Sequence, residues 1–164
     1  MTTSLLSDAF AHHIWATERL IEACSVLSPE RLTTPVPGTY GSIIGTLRHL
    51  VSSDSWYLSF YSSEHRPVRR EPDVSLGELA SVIRSNGSAW MELLKEKLDP
   101  DADVVDRGDG WEFHAPMGLR LAQVIQHGTD HRSQVCTCLT TFGVTPPEID
   151  LWGFGAAMGR TREA

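Results

Sequence analysis

Two histidines lie four residues apart, His127 and His131, in the segment QHGTDHRSQV. In a helix this spacing places both imidazoles on one side, where both rings can reach a single metal ion. The second ring lies at the centre of an otherwise apolar face, where an imidazole costs free energy unless both nitrogens have partners. The pair therefore predicts a metal site, and the alternative is a pair of core histidines that are only hydrogen-bonded.

A metal ion bound by these two rings alone would lack ligands, so a third ligand should come from another helix. His49, in RHLVSSDSW, is the best candidate, because it lies on one helical stripe with Ser53, Trp56 and Phe60. Three neutral imidazoles leave a coordination position open, which suits catalysis more than a purely structural role. Such an ion lowers the pKa of a bound water or thiol and polarises a carbonyl group.

Four other residues are candidates for the surroundings of this site. His13 faces inward by its helical periodicity. Asp54 follows His49 by five residues and could orient a ligand imidazole, or it could be a solvated or capping carboxylate. Trp56 shares the His49 stripe and could wall a pocket. Arg132 could bind an anionic substrate, and an ordinary salt bridge is the favoured alternative.

These residues must be positioned by helices, and four segments have helical periodicity. A capping-box spacing at Ser75 and Glu78 begins the third, and Gly143 ends the fourth as a C-cap. Four long amphipathic helices without strong strand signals predict an all-α four-helix bundle, formed as a single domain over residues 1–164. The predicted helices are Ser4–Leu27, Ser42–Ser62, Leu76–Leu98 and Leu119–Phe142.

The segments between these helices carry turn-forming residues. SPE at 28–30 and TTPVPGTYGS at 33–42 predict a loop, and HRPVRR at 65–70 predicts a solvated loop. Residues 99–118 contain a Gly-Asp-Gly turn, which predicts a short hairpin or an irregular crossover before the last long helix. The tail at 151–160 predicts one more helical turn or a strap over the bundle.

The apolar faces indicate how the first two helices pack. The second helix is apolar on two sides, which predicts contact with its own bundle and with another subunit, and hence a homodimer. The first helix has one inward stripe, which consists of Leu6, Ala9, His13, Leu20, Cys24 and Leu27.

Composition narrows the functional classes. The chain has 164 residues and a formal net charge of −7, which disfavours nonspecific binding to nucleic acid. No stretch approaches the roughly 20 apolar residues that span a bilayer, and the N-terminus lacks the pattern of a secretion signal. The three cysteines have no disulfide-framework spacing, which suits a reducing cytoplasm, and Cys24 is expected to be a buried, inert thiol.

Three segments, in this order, resemble the DinB/YfiT-like superfamily: HHIWATERL, GSIIGTLRHLVSSDSWYL and HGTDHRSQV…LTTFGVTPPEIDLWGF. This is the damage-inducible DinB family of metal-binding proteins, not the DNA polymerase. The resemblance covers nearly the whole chain and implies a four-helix bundle, commonly a homodimer. It implies a divalent metal, zinc or nickel, on His49, His127 and His131, with His13 as a pocket residue. The chain departs from the family pattern at Thr17 and Ser133, where many members have Asn and Gly.

The resemblance also implies a class of reaction. Related members include transferases that use bacillithiol or mycothiol, a mycothiol-dependent maleylpyruvate isomerase and proposed metal-dependent hydrolases. We therefore expect a divalent-metal-dependent enzyme of the S-transferase class that acts with a small thiol cofactor on a small-molecule substrate. The alternatives are a metal-dependent hydrolase and a non-catalytic stress protein that binds a metal or small ligand. No catalytic side chain is assigned, because the metal would activate a water or the thiolate.

Overall fold

The computed structural model describes residues 5–61 and 74–162. The predicted start of the first helix at Ser4, the predicted end of the second at Ser62 and the loop at 65–70 lie outside these residues. The described part is mostly helical, as predicted, and it also contains one two-stranded sheet. Its elements are α1 (Leu5–Cys24), α2 (Pro29–Thr33), α3 (Ile43–Leu58), α4 (Leu76–Leu93), β1 (Asp103–Gly108), β2 (Trp111–Pro116), α5 (Met117–Thr141) and α6 (Leu151–Ala157).

Residues at the helix ends explain where α3 and α4 begin and where α5 ends. Ser42 caps α3, because its hydroxyl accepts a hydrogen bond from the backbone N–H of Gly45. The predicted capping box of α4 is confirmed: the Ser75 hydroxyl accepts from the Glu78 N–H, and the Glu78 carboxylate accepts from the Ser75 N–H at 2.8 Å. Gly143 follows α5 with a φ of 73°, a left-handed conformation that ends helices and favours glycine.

Three predicted helix ends were wrong, among them that of the second helix, because α3 ends at Leu58 and a turn follows it. The first long helix ends at Cys24 rather than at Leu27. Part of the segment that was predicted to be a loop forms the short helix α2, which starts at Pro29. Ser28 caps α2 by accepting a hydrogen bond from the Arg31 N–H, and proline at its first position has the φ that a helix needs. The helix α4 ends at Leu93, one turn before the predicted Leu98.

The hairpin predicted for residues 99–118 is present. Strands β1 and β2 pair antiparallel, with Asp103 opposite Pro116 and Gly108 opposite Trp111. Arg120, in the first turn of α5, holds the hairpin against that helix by donating hydrogen bonds to the carbonyl oxygens of Val104 and Phe113. The tail forms α6, which confirms the expectation of a further helical turn there.

The four long helices surround an apolar core, since α1 packs against α4 and α5, and α3 packs against the same two helices. The four-helix-bundle arrangement itself stays a prediction. Leu6 was wrongly placed on the inward stripe of α1, because it is 44% exposed, and Phe10 is buried instead. Within the described ranges, every helix is too short or too polar to span a bilayer.

Candidate metal centre

Three imidazoles meet where α3 faces α5. His49 comes from α3, and His127 and His131 come from successive turns of α5. Each ring offers one nitrogen, and the three nitrogens lie within 4.8 Å of one another. The rings of His127 and His131 have centroids 4.4 Å apart, as expected for neighbours on one helical face. The structure therefore brings together the three residues that the sequence proposed as a ligand set.

The spacing of two of these nitrogens suits a first-row divalent ion. The Nε2 atoms of His127 and His49 are 3.0 Å apart. Two imidazole nitrogens at the usual zinc distance of about 2.1 Å are roughly 3 Å apart when the angle at the metal is near 90°. The same separation suits a hydrogen bond between the two rings, which metal binding would replace. His131 is buried and the other two rings are half-buried, so solvent reaches one side of the cluster.

The environment keeps one of these rings neutral, as a ligand must be. Burial, together with the smaller effects of the neighbouring His131 and His49, lowers the pKa of His127 to about 4. At neutral pH this imidazole therefore retains a free lone pair. A ring that was exposed and unperturbed would be partly protonated near pH 6.5 and would compete with the ion for that lone pair.

Gln134 orients His131. The Nδ1 atom of His131 lies 2.9 Å from the side-chain oxygen of Gln134, which can only accept a hydrogen bond. The ring proton therefore sits on Nδ1 and leaves Nε2 with the lone pair that a metal needs. Sequence reasoning assigned this glutamine no role, although its spacing of three residues from His131 places both side chains on one helical face.

Tyr40 forms a wall of the site and was not foreseen. Its ring stacks on His49 with centroids 4.3 Å apart and an interplanar angle of 15°, and it meets the edge of His131 at 5.0 Å. It lies in the loop between α2 and α3, where the Thr39 hydroxyl donates to the Val36 carbonyl at 2.8 Å. The sequence predicts only a loop there, because turn residues indicate where a helix stops and not which residues the loop contacts.

The predicted neighbours His13 and Asp54 pair with each other. The Nε2 of His13 lies 3.0 Å from Oδ1 of Asp54, and both side chains are almost fully buried. Asp54 also accepts hydrogen bonds from the indole N–H of Trp90 at 3.1 Å and from the amide of Asn86 at 2.7 Å. Asp54 is therefore neither solvated nor a helix cap, and the alternative that was weighed for it is wrong.

Trp56, the aromatic residue proposed for the pocket, lies at the protein surface. Trp56 is 36% exposed and packs against Tyr57 and Phe60, with ring centroids 5.0 and 4.8 Å away. The ring of Tyr57, which Trp56 contacts, has its centroid 6.1 Å from that of His127. Tyr40 and Tyr57 therefore both supply aromatic contacts to the cluster.

Arg132 is buried, contrary to the expectation of an ordinary salt bridge. It is only 3% exposed, and its Nη1 lies 2.8 Å from the Nδ1 of His13. The guanidinium also donates to the hydroxyls of Thr17 and Thr129. Burial lowers its pKa to about 10, while the Asp54 carboxylate acts in the opposite direction.

Comparison with known proteins shows one family. The model of the DinB family matches residues 1–161 of the chain. A crystal structure of a DinB-like protein from Bacillus cereus ATCC 10987 is similar, with a TM-score of 0.62 over 90% of this chain and 99% of that one. The two sequences are 20% identical, so this likeness concerns the fold. None of the curated proteins matches the chain.

Proposed function

This chain belongs to the DinB family, and on that premise we propose that it is a divalent-metal-dependent enzyme that transfers a small thiol to an electrophilic substrate. The convergence of His49, His127 and His131 from two helices carries the proposal. The proposed ion is zinc or nickel. The proposed thiol is a low-molecular-weight cofactor such as bacillithiol or mycothiol, which the family resemblance implies.

The three imidazoles would hold the ion, and the residues around them would fix its surroundings. A bound divalent ion supplies Lewis acidity that favours the deprotonated form of a thiol or water at an open position. Gln134 holds the ring of His131 in the tautomer that presents Nε2. Tyr40, which is 47% exposed, covers one side of His49 and leaves the thiol an approach beside its ring.

The full or partial burial of the three cysteines favours a small-molecule thiol, rather than a cysteine of the protein, as the sulfur nucleophile. Cys24 is fully buried, and burial raises the pKa of its thiol to about 12. Burial also raises the pKa of Cys136, and Cys138 is buried beside the Thr39 hydroxyl. A thiolate is the reactive form, so these side chains are poor nucleophiles, and the sulfur nucleophile would be supplied by a small molecule.

One observation favours a second candidate, a metal-dependent hydrolase. His49 and His127 are half-buried, so water can reach the cluster as readily as a thiol can. With water as the nucleophile, the reaction would be hydrolysis of an amide or ester-like bond. A protein that binds the ion or a small ligand without turnover is the remaining alternative.

Metal binding is tested first, by elemental analysis of untagged protein. We expect about one divalent ion per chain in the wild type and loss of that ion in His49→Ala and His131→Ala, since two imidazoles hold an ion poorly. His114→Ala is the matched control, because His114 lies on the exposed hairpin and bonds Asp103 and Glu112. Unchanged metal content in the two cluster variants would exclude the three-histidine site.

The nature of the reaction is tested with cobalt-loaded protein. A thiolate that coordinates cobalt adds a sulfur-to-metal charge-transfer absorption, so titration with small thiols should produce this band in the wild type and in His114→Ala. Turnover with a thiol and a chlorinated aromatic compound supports the transferase. Turnover of esters or amides without thiol supports the hydrolase, and no turnover with either supports simple binding.

The proposed assembly is a cytoplasmic homodimer. Trp56, in the last turn of α3, and Phe60, just after the end of that helix, form an aromatic surface, and Trp56 is 36% exposed. Aromatic side chains of this kind are enriched at protein interfaces. All three cysteines are free thiols, which suits a reducing compartment. Analytical ultracentrifugation at micromolar concentration should give a dimer, and a monomer there would contradict the proposed assembly.

A further inference from the structure

Beside the three rings, a chain of buried polar groups connects the four long helices. Arg132 of α5 bonds His13 of α1 at 2.8 Å, and His13 bonds Asp54 of α3 at 3.0 Å. From α4, Asn86 and Trp90 both donate to the Asp54 carboxylate. None of these five side chains belongs to the proposed ligand set, and each of the five residues is at most 5% exposed.

The hydrogen bonds between these buried groups run in one direction, from Arg132 through His13 to Asp54. Every polar atom of the Arg132 guanidinium is a donor, so the Nδ1 of His13 must accept from it. The proton of the neutral His13 ring therefore sits on Nε2 and is donated to Asp54. The ring thus connects a cationic group to an anionic group and can satisfy both only in one tautomer and one orientation.

The turns of α5 that bear the proposed ligands also bear Arg132 and pack against His13. Gly128 directly follows His127, and Arg132 directly follows His131. A side-chain carbon at Gly128 would lie 2.4 Å from the Nδ1 of His13 and 2.8 Å from the Nη1 of Arg132. The absence of that carbon lets α1 approach α5 at the turn that bears the two ligand rings.

A second connection runs through α3. Asp54 follows His49 by five residues on that helix, and its carboxylate is fixed by donors from α1 and α4. The hydrogen-bonded chain therefore holds both helices that supply ligands, each within about a turn and a half of a proposed ligand.

Stability alone does not account for buried charges. Removing two charged groups from water costs several kcal/mol per ion, and well-packed apolar residues in their place are often as stable or more so. What the polar chain adds is a fixed direction, because its donors and acceptors fit in one arrangement, whereas apolar contacts allow small rotations and slides.

We propose that Arg132, His13 and Asp54 are positioning residues that set the rotation and separation of α3 and α5, so that the ring of His49 meets those of His127 and His131. The spectroscopic part of the test rests on the proposed metal-binding function. The placement of the rings themselves does not rest on it, and it can be measured without metal.

The first measurement is cobalt affinity, together with the visible spectrum of the bound ion, which reports coordination geometry. His13→Leu should weaken cobalt binding by about tenfold to a hundredfold, the usual effect of losing a supporting partner around a metal site, and should change the spectrum. His13→Gln can still donate to Asp54 and accept from Arg132, so it should restore most of the affinity. Leu79→Ala, in the apolar core of α4, should lower the melting temperature while leaving the affinity within about twofold and the spectrum unchanged.

The second measurement is a crystal structure of each metal-free protein. In wild type and His13→Gln the three ring nitrogens should remain within 4.8 Å of one another, and in His13→Leu they should separate. If His13→Leu does not fold, Arg132→Lys takes its place, because lysine keeps the charge and loses the planar fork whose two terminal nitrogens reach His13 and Thr129.

The outcomes separate the two proposals. Wild-type protein that binds no cobalt, together with rings that separate in His13→Leu, would remove the metal function and leave the positioning role intact. Rings that keep their spacing in a folded His13→Leu would overturn the positioning role whatever the cobalt result. An equal loss of affinity in Leu79→Ala would overturn it too, because the effect would then follow stability alone.

Discussion

The Asp54 carboxylate should be one of the most sensitive positions in the core. It is 2% exposed and receives three N–H donors, at 3.0 Å from His13, 3.1 Å from Trp90 and 2.7 Å from Asn86. In Asp54→Leu these donors lose the carboxylate, although the Asn86 amide keeps its bond to the Ser55 hydroxyl, and the Arg132 guanidinium remains buried without its counter-charge. Removing one partner of a buried charged network typically costs about 3–5 kcal/mol, because an uncompensated charge is left behind. For a chain of this size that corresponds to a melting temperature lower by about 10 °C.

A double-mutant cycle measured by urea unfolding tests this reasoning. Arg132→Leu alone should also destabilise the protein, because Asp54 then keeps its charge without the opposing guanidinium. The double variant removes both charges, so its cost should be smaller than the sum of the single costs by about 1–3 kcal/mol. Strictly additive costs, or a loss below about 1 kcal/mol in Asp54→Leu, would refute the claim that the two groups interact through His13.

Three further predictions concern the framework. Gly128→Ala should destabilise the protein by about 1–3 kcal/mol, because the new carbon would lie 2.4 Å from the ring of His13; equal urea midpoints for variant and wild type would contradict this. Ser75→Ala should cost about 1 kcal/mol at neutral pH by removing the cap of α4. Hydrogen bonds from Ser75 hold the pKa of Glu78 below its ordinary value, so the cap is complete above the ordinary carboxyl pKa and weakens as the pH falls through the lowered one; the difference between Ser75→Ala and wild type should therefore shrink in acid. Arg120→Leu should release the hairpin and speed amide exchange in residues 103–116 without affecting α1, since its guanidinium bonds two hairpin carbonyls; unchanged exchange would show that the hairpin is held by other contacts.

Local patterns in the sequence were sufficient to predict the proposed ligand pair and several helix ends. The four-residue spacing of His127 and His131 places both rings on one face of any helix that forms there. The capping box at Ser75 and Glu78 acts within one turn, so its hydrogen bonds depend on few distant residues. His49 was found because its helical stripe indicated a face, and the resemblance to a known family implied the same three-histidine set.

The surroundings of the site could not be derived in this way, because they depend on pairs that are far apart in the chain. His13 bonds Asp54 across 41 residues, and Arg132 bonds His13 across 119 residues. Helical periodicity shows which way a side chain faces but not which residue it meets, so Arg132 was assigned to an ordinary salt bridge. Tyr40 was missed for a related reason, since a loop has no period from which its contacts can be inferred.

The order of the three imidazoles along the chain would determine when the proposed ion could be captured during synthesis. The two rings on the last long helix lie one turn apart, but the third lies 78 residues before the first of them. A growing polypeptide on the ribosome holds a single donor until residue 127 is made and acquires the full set only at residue 131. Loading with the proposed ion would therefore wait until the last long helix has been made, and cellular metal supply would act after the earliest folding steps.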